Sequence, residues 1–281
     1  MKFTRYIDMK LFEKDTLKIL LENEVQNNMP LSFIKNERGL DTSEWLLFTV
    51  KDKSGEVALT AACTPPRNIV MYETQNKPND AAVKLLSDEL KSMGISLPGV
   101  LAEQGLARRF AENYAVNFRQ NMSTNVMRLD KISNIQKAPG FCRELRKDDL
   151  FYMPFWIKAF GDDCKVGVDS SIEFFNRHIG MNTYYIWEDT HPVSIAVNHR
   201  NTENGAGISC VYTPPYYRGK GYASSVVAEL SASLLERGYK FCFLFADVEN
   251  PVSCGIYRKI GFCDLCVFDE IKFGGEADDG H

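Results

Sequence analysis

The sequence predicts a mixed α/β protein built as two units of similar element order, and three observations carry that reading. The chain has 281 residues, more than one small core needs and about right for two domains of roughly 100–200 residues each. Short β-prone apolar runs alternate with segments whose apolar residues recur at helical spacing, the pattern of helices laid on a sheet. The order of these segments in the first half nearly repeats in the second, shifted by about 140 positions, although residue identity between the halves is poor.

In the first unit, residues 1–134, Leu17, Leu20, Leu21 and Val25 define a helix over 14–27, with a short helix at 30–36. Strands follow at 45–50, 56–63 and 68–74, with Ser54-Gly55 marking a turn. Asn79 caps a helix over 80–93. A strand at 98–101, a helix at 106–116 and a strand at 121–129 complete the unit, and polar residues 131–139 read as a linker. The second unit, residues 135–281, opens with a strand at 141–145. Asp148 caps a helix through 160, and Ser170 or Ser171 caps another through 178. Strands follow at 183–187, 193–199 and 207–212, then a helix and a buried strand at 240–247. Asn250 caps a short helix with Pro251 at its first position, and Gly261 ends it. Strands at 262–266 and 268–273 and a polar tail from 274 close the chain.

Composition narrows the function classes. Hydrophobic residues make up 44% and charged residues 25% of the chain, as in globular proteins. The net charge of −4 comes from 33 basic and 37 acidic residues, so no general basic field awaits nucleic acid. Residues 1–15 lack the apolar core of a signal peptide. The longest apolar run, residues 241–246, falls far short of the ~20 residues that span a bilayer. The expectation is a cytoplasmic protein without a membrane or nucleic-acid partner. Eight cysteines are present, and Cys263-x-x-Cys266 is their one close pair. No second pair completes a zinc site, so they read as reduced thiols, mostly in core strands, and no metal is expected.

The second unit is organised around Val211-Tyr212-Thr213-Pro214-Pro215-Tyr216-Tyr217-Arg218-Gly219-Lys220-Gly221-Tyr222-Ala223. Pro214 and Pro215 end the strand. Gly219 and Gly221 permit a tight turn with close backbone approach. Ala223, Val226, Val227, Leu230 and Leu234 then line one helix face. A glycine loop at a helix N-terminus is an anion site, because its N–H groups are unpaired and the dipole end is positive.

Here Arg218-x-x-Gly221-x-Ala223 resembles the pyrophosphate loop of the GNAT superfamily of acyl-coenzyme A N-acyltransferases. The element order from about residue 141 to 273 resembles the GNAT fold as well. The resemblance implies acetyl-coenzyme A as co-substrate, held by backbone N–H groups of Gly219, Lys220, Gly221, Tyr222 and Ala223, with charge from Arg218 and Lys220. It implies that Val211, Tyr212 and Thr213 pair with the pantetheine arm, a backbone N–H near Val211 facing the thioester carbonyl as an oxyanion donor.

Asn250 and Tyr257 stand seven residues apart, two helical turns, and so share a helix face. By the resemblance, Asn250 touches the coenzyme arm and Tyr257 is the general acid beside the sulfur, protonated at neutral pH. The alternative for Tyr257 is a packed core residue. Glu188, His199, Asp247 and Glu249 are open choices for the base, with His178 and His191 weaker ones. The strand before the loop lacks the Glu that some family members use.

The first half carries Glu73-Thr74-Gln75-Asn76-Lys77-Pro78-Asn79-Asp80 where the second has its glycine loop. Without glycine, and with Asp80 where phosphate would sit, this half is a degenerate GNAT-like unit without coenzyme binding. It serves either as a scaffold or as a wall of the acceptor pocket. The expected function is acetyl transfer to a primary amine of a small molecule or peptide, and the assembly is a monomer or a homodimer. Three alternatives stand beside it: a larger acyl donor, an amino-acid acceptor as in the two-domain glycine N-acyltransferases, and a coenzyme-binding protein without turnover.

Overall fold

The computed structural model describes residues 1–36, 42–74, 78–181 and 183–274. Its elements run β1 (Lys2–Tyr6), α1 (Met9–Glu22), α2 (Asn28–Asn36), β2 (Leu46–Lys51), β3 (Val57–Cys63), β4 (Ile69–Glu73), α3 (Asp80–Ser92), β5 (Gly99–Glu103), α4 (Gln104–Tyr114) and β6 (Phe118–Leu129). They continue with β7 (Phe141–Glu144), α5 (Met153–Cys164), α6 (Ile172–His178), β8 (Tyr184–Asp189), β9 (His191–Asn198), β10 (Gly205–Tyr212), α7 (Tyr222–Glu236), β11 (Phe241–Asp247), α8 (Pro251–Ile260) and β12 (Cys263–Phe273). A 3₁₀ turn, Lys147–Phe151, precedes α5.

Two compact units result. One holds residues 1–126, 246–250 and the described residues from 265 on; the other holds 127–245 and 251–264. The border expected at 134/135 therefore falls inside the second unit, and the chain returns to the first unit twice.

In the first unit β1 to β4 pair antiparallel in sequence order. The connection through α3 makes β4 and β5 parallel, as a helical crossover requires. β12, from the end of the chain, adds antiparallel to β5, Phe268 facing Glu103 and Lys272 facing Gly99. Phe48, Leu59, Ile69, Leu86, Phe110 and Ile271 are among its buried core residues. In the second unit β7 to β10 are antiparallel neighbours, and the crossover through α7 brings β11 parallel to β10.

β1 was not foreseen. Five residues at the start of the chain give too short an alternation to register as a strand, and the strand is fixed by pairing with β2. The two strands expected at 262–266 and 268–273 are one, β12. With those changes both halves read β-α-α-β-β-β-α-β-α-β. The helix expected at 14–27 starts at Met9, where Asp8 caps it by accepting from the Lys10 N–H at 2.8 Å. Ser171, not Ser170, caps α6. Asp148 makes no capping bond among the described residues; its neighbour Asp149 accepts from the Arg146 N–H instead. All eight cysteines are free thiols, but Cys263 is exposed and only Cys63, Cys242 and Cys254 are buried. No helix among the described residues is long and apolar enough to cross a membrane.

Asp149 fixes the start of α5. It is 2% exposed and takes both ends of the Arg143 guanidinium, at 2.6 and 2.8 Å. It also accepts from the Tyr152 hydroxyl at 2.5 Å and the Arg146 N–H at 2.6 Å. Arg143 holds Glu188 as well, so β7, β8 and the approach to α5 share one network. Burial works against the ionised carboxyl, but the bonds from Arg143, Tyr152 and Arg146 outweigh it and hold the Asp149 pKa below its ordinary value.

Because the folded state lowers this pKa, its stabilisation is full above about pH 4 and is lost as pH falls further. Asp149→Asn, which leaves Arg143 without half of its partners, is expected to cost roughly 3 kcal/mol in urea unfolding at pH 7. It should also flatten the acid limb of the stability profile. An unchanged midpoint and acid limb would show that the network contributes nothing.

Candidate active site

The site grows from β10. Gly205, Ala206 and Gly207 pair with Phe241, Cys242 and Phe243 of β11, and the ladder ends there although both strands run on. On its other side β10 stays with β9, but the register slips between Ser209 and Tyr212. Cys210 takes up the slip at φ +47, the conformation of a bulged residue, which kinks its strand and ends regular pairing. Beyond the bulge the backbone of Val211 and Tyr212 has left its parallel neighbour. Ser194 on β9 steadies this segment, donating to the Tyr212 carbonyl at 3.1 Å and bonding the Thr213 hydroxyl at 2.8 Å.

Pro215–Tyr217 form one 3₁₀ turn, closed by Tyr217 N–H to Pro214 O at 2.9 Å. Gly219 and Gly221 follow at φ +79 and φ +82. A Cβ at Gly219 would touch nothing within 4 Å, and one at Gly221 would meet only Ala138, at 3.8 Å. The left-handed backbone, not lack of space, therefore selects glycine. Gly221 is the N-cap of α7 and brings no side-chain acceptor, so the N–H groups of the first turn remain available to an anion. Ser225 fixes the helix start, donating to Gly221 O at 2.9 Å and accepting from the Ala138 N–H at 2.8 Å.

The side chains around this cradle divide. Gly219, Lys220 and Gly221 are exposed. Arg218 is exposed too, but it is engaged: it donates to Thr213 O at 2.9 Å and pairs with Asp163, at the end of α5, at 2.7 Å. Tyr222 is buried, its hydroxyl donating to Asp189 at 2.6 Å. Its backbone N–H is what it can offer the loop. Tyr212 packs into the core beside Trp156 and Ile195.

Tyr257 lies on α8 with 9% of its surface exposed, its ring set edge-on to Phe262. Its hydroxyl has no hydrogen-bond partner among the described residues. Burial, with the nearby Cys164 and Cys254 thiols, pushes its pKa well above the usual tyrosine value, so it holds its proton throughout the neutral range. Asn250 stands directly before α8, its N–H bonded to Asp247 O at 3.1 Å. It falls with the first unit, Tyr257 with the second.

Most of the candidate bases are committed. Glu188 pairs with Arg143, and Asp247 accepts from the Glu249 N–H at 2.9 Å. His178 bonds Phe174 O at 2.7 Å, and His191 bonds Thr190 at 3.0 Å. Glu249 is exposed. His199 is exposed, though local desolvation, with Arg200 and His178 beside it, lowers its pKa.

In the first unit the equivalent turn is filled by its own charges. Glu73 accepts from the Asn79 N–H at 2.7 Å and pairs with Arg109 at 2.5 Å, and Arg109 also reaches Asp80 at 3.1 Å. A carboxylate thus takes the helix-start position that an outside anion would need. Gln75, Asn76 and Lys77 of that stretch lie outside the described residues.

Sequence reasoning missed Ser194, Asp189 and Asp163. Ser194 gave a signal, one polar residue inside the apolar run from Val193 to Val197. The others act through partners far away in sequence and gave none.

A sequence search of curated proteins finds no match. Residues 190–268 match the family model described as FR47-like protein. Among solved structures, the chain is similar to a GCN5-related N-acetyltransferase from Sphaerobacter thermophilus at 15% identity and TM-score 0.66, over 96% of this chain and 95% of that one. A Drosophila protein gives 12% identity and TM-score 0.66 over 97% and 98%. A GNAT-family acetyltransferase from Colwellia psychrerythraea gives 11% and 0.60 over 98% and 100%. The chain is built on the fold of the GNAT acetyltransferases, and its β9 to β12 region carries the FR47-like signature within that fold.

Proposed function

We propose that the second unit transfers an acetyl group from acetyl-coenzyme A to the primary amine of a small molecule or peptide in the cytoplasm. The observation that carries this reading is the path of β10. It leaves β11 after Gly207, kinks at Cys210 and delivers two left-handed glycines to an uncapped helix start. A diverged strand offers backbone groups to a narrow arm, and the helix start offers N–H donors to a pyrophosphate, so the residues fit the coenzyme.

When bound, the coenzyme supplies an acyl group activated as a thioester. The protein's own part is positional and electrostatic. The loop from Gly219 to Ala223 binds phosphate oxygens through backbone N–H groups, and Lys220 adds charge. Backbone donors of the diverged segment near Val211 orient the reacting carbonyl and meet the charge that develops on it. Tyr257 holds a proton on a hydroxyl free to donate toward a leaving thiolate, whose ordinary pKa of ~8.5 is well below that of the phenol. A protein that only bound coenzyme would have no use for that hydroxyl.

Three outcomes test the reading. Gly221→Asp combines a strained left-handed carboxylate residue with charge repulsion, and should abolish acetyl-coenzyme A binding in calorimetry while the protein stays folded by circular dichroism. Tight binding by the folded variant would remove the loop from the site. Wild-type protein should bind one coenzyme per chain, since Glu73 and Arg109 already fill the first unit's turn; two equivalent sites would contradict this. Tyr257→Phe should keep coenzyme affinity but lower kcat by roughly 10²-fold at pH 7, with a smaller loss for acyl donors whose thiol is more acidic. Turnover at the wild-type rate would make Tyr257 a packing residue.

A further inference from the structure

Asp163 and Arg218 form a pair that the proposed transfer does not employ. Arg218 directly follows the 3₁₀ turn, its N–H bonded to Pro215 O at 3.2 Å. Its side chain turns back toward the strand it came from. Nε donates to Thr213 O at 2.9 Å and Nη2 donates to Asp163 at 2.7 Å. The guanidinium carbon lies 5.8 Å from the centroid of the Tyr212 ring. A guanidinium is a rigid planar fork, so two of its donors bound at once fix its plane.

Asp163 stands in the last turn of α5, where the unpaired carbonyls of a helix end disfavour an anion. That turn holds no basic residue. Its neighbour Asp162 is matched by Lys158, one turn back. The partner of Asp163 is 55 residues away. A residue placed against local preference answers to a distant requirement. The two side chains are 51% and 52% exposed, so the pair adds little to stability. What it supplies is geometry.

That geometry bears on the strand end that has left β11. Beyond the Cys210 bulge, the Tyr212 carbonyl accepts from Ser194 and the Thr213 carbonyl accepts from Arg218. The segment is thus gripped from β9 on one side and from the loop on the other. α5 contributes twice, through Asp163 on Arg218 and through Trp156, whose ring lies 6.4 Å from that of Tyr212. The pair also decides the charge at the loop. Asp163 offsets Arg218, so a phosphate brought to this guanidinium would meet a carboxylate beside it.

We propose that Asp163 is a positioning residue for the transfer. Through Arg218 it fixes the Thr213 carbonyl, and with it the strand end near Val211 that orients the reacting carbonyl; Arg218 is a clasp and not a phosphate ligand. The effect on rate rests on the acetyl-transfer reading, but the clasp itself does not. The test compares wild-type protein with Asp163→Ala, Arg218→Gln, the double variant and Arg218→Lys. Coenzyme A release with a panel of amines gives kcat, calorimetry gives the acetyl-coenzyme A Kd, and circular dichroism gives Tm. Asp163→Ala and Arg218→Gln should each lose roughly 10-fold in kcat, a modest misplacement of the reacting group, with Kd and Tm near wild type. The double variant should lose no more than either, because both remove the same clasp. Arg218→Lys keeps a charge for phosphate but not the fork, so it should lose kcat as Arg218→Gln does. Wild-type kcat in Asp163→Ala would overturn the proposal. So would weaker coenzyme binding in Arg218→Gln, restored in Arg218→Lys, with tighter binding in Asp163→Ala, the pattern of a phosphate ligand.

The clasp is also read without turnover. In arginine-labelled protein, NMR follows exchange of the Arg218 Nε–H with water. It should be slow in wild type, with or without acetyl-coenzyme A, and faster in Asp163→Ala. Fast exchange in wild type, or protection lost when the coenzyme binds, would remove the clasp. If the exchange behaves as expected while wild type turns over no amine of the panel, the clasp stands and the acetyl-transfer reading falls.

Discussion

The active end of the second unit depends on one constraint: β10 must pair with β11 at its start and abandon it by its end. Both halves of that requirement are built in. At the start, a Cβ on Gly205 would come within 2.2 Å of the Phe241 ring, and one on Gly207 within 2.0 Å of the His199 carbonyl. Only glycine lets the Phe241 and Phe243 rings and the β9 turn close over the strand, so the ladder is tight there. At the end, Cys210 bends the strand out of register and Ser194 binds the segment that has moved. Divergence of two strands from a locked base gives a wedge whose width is fixed by packing, which a flexible loop could not supply.

The two units use one element order to opposite ends. In both, a strand runs into a turn and a helix starts, and the start of a helix attracts negative charge. The first unit meets that demand with Glu73, itself clamped by Arg109, so the demand is satisfied within the chain. In the second unit Gly221 leaves the demand open. The difference comes down to a side chain at one strand end and a backbone conformation at the other, while the surrounding folds remain alike.

What could be read in the sequence follows from how local each cause is. The loop was legible because Pro214, Pro215, Gly219 and Gly221 act on their own backbone. Tyr257 was legible because seven residues on a helix fix a face whatever lies opposite. Asn79 and Asp8 cap their helices through bonds two or three residues away, and only the absence of a preceding apolar pattern hid the second. The Arg218–Asp163 pair spans 55 residues, and nothing in either neighbourhood announces it. Arg218 looked free to meet phosphate because a sequence shows a charge and not its partner. The left-handed Cys210 was illegible for a related reason: a bulge belongs to a pair of strands, and the residue that absorbs it need not be glycine.

The carboxylates of the second unit bear on the chemistry by being occupied. Asp149 and Glu188 are bound to Arg143, Asp163 to Arg218, and Asp189 to Tyr222. His199 has its pKa lowered, and Tyr257 keeps its proton. On the proposed reading the amine would then shed its proton to bulk water, with no dedicated carboxylate base. That arrangement agrees with a strand before the loop that reads Ile208-Ser209-Cys210-Val211-Tyr212, without an acid at any of its positions.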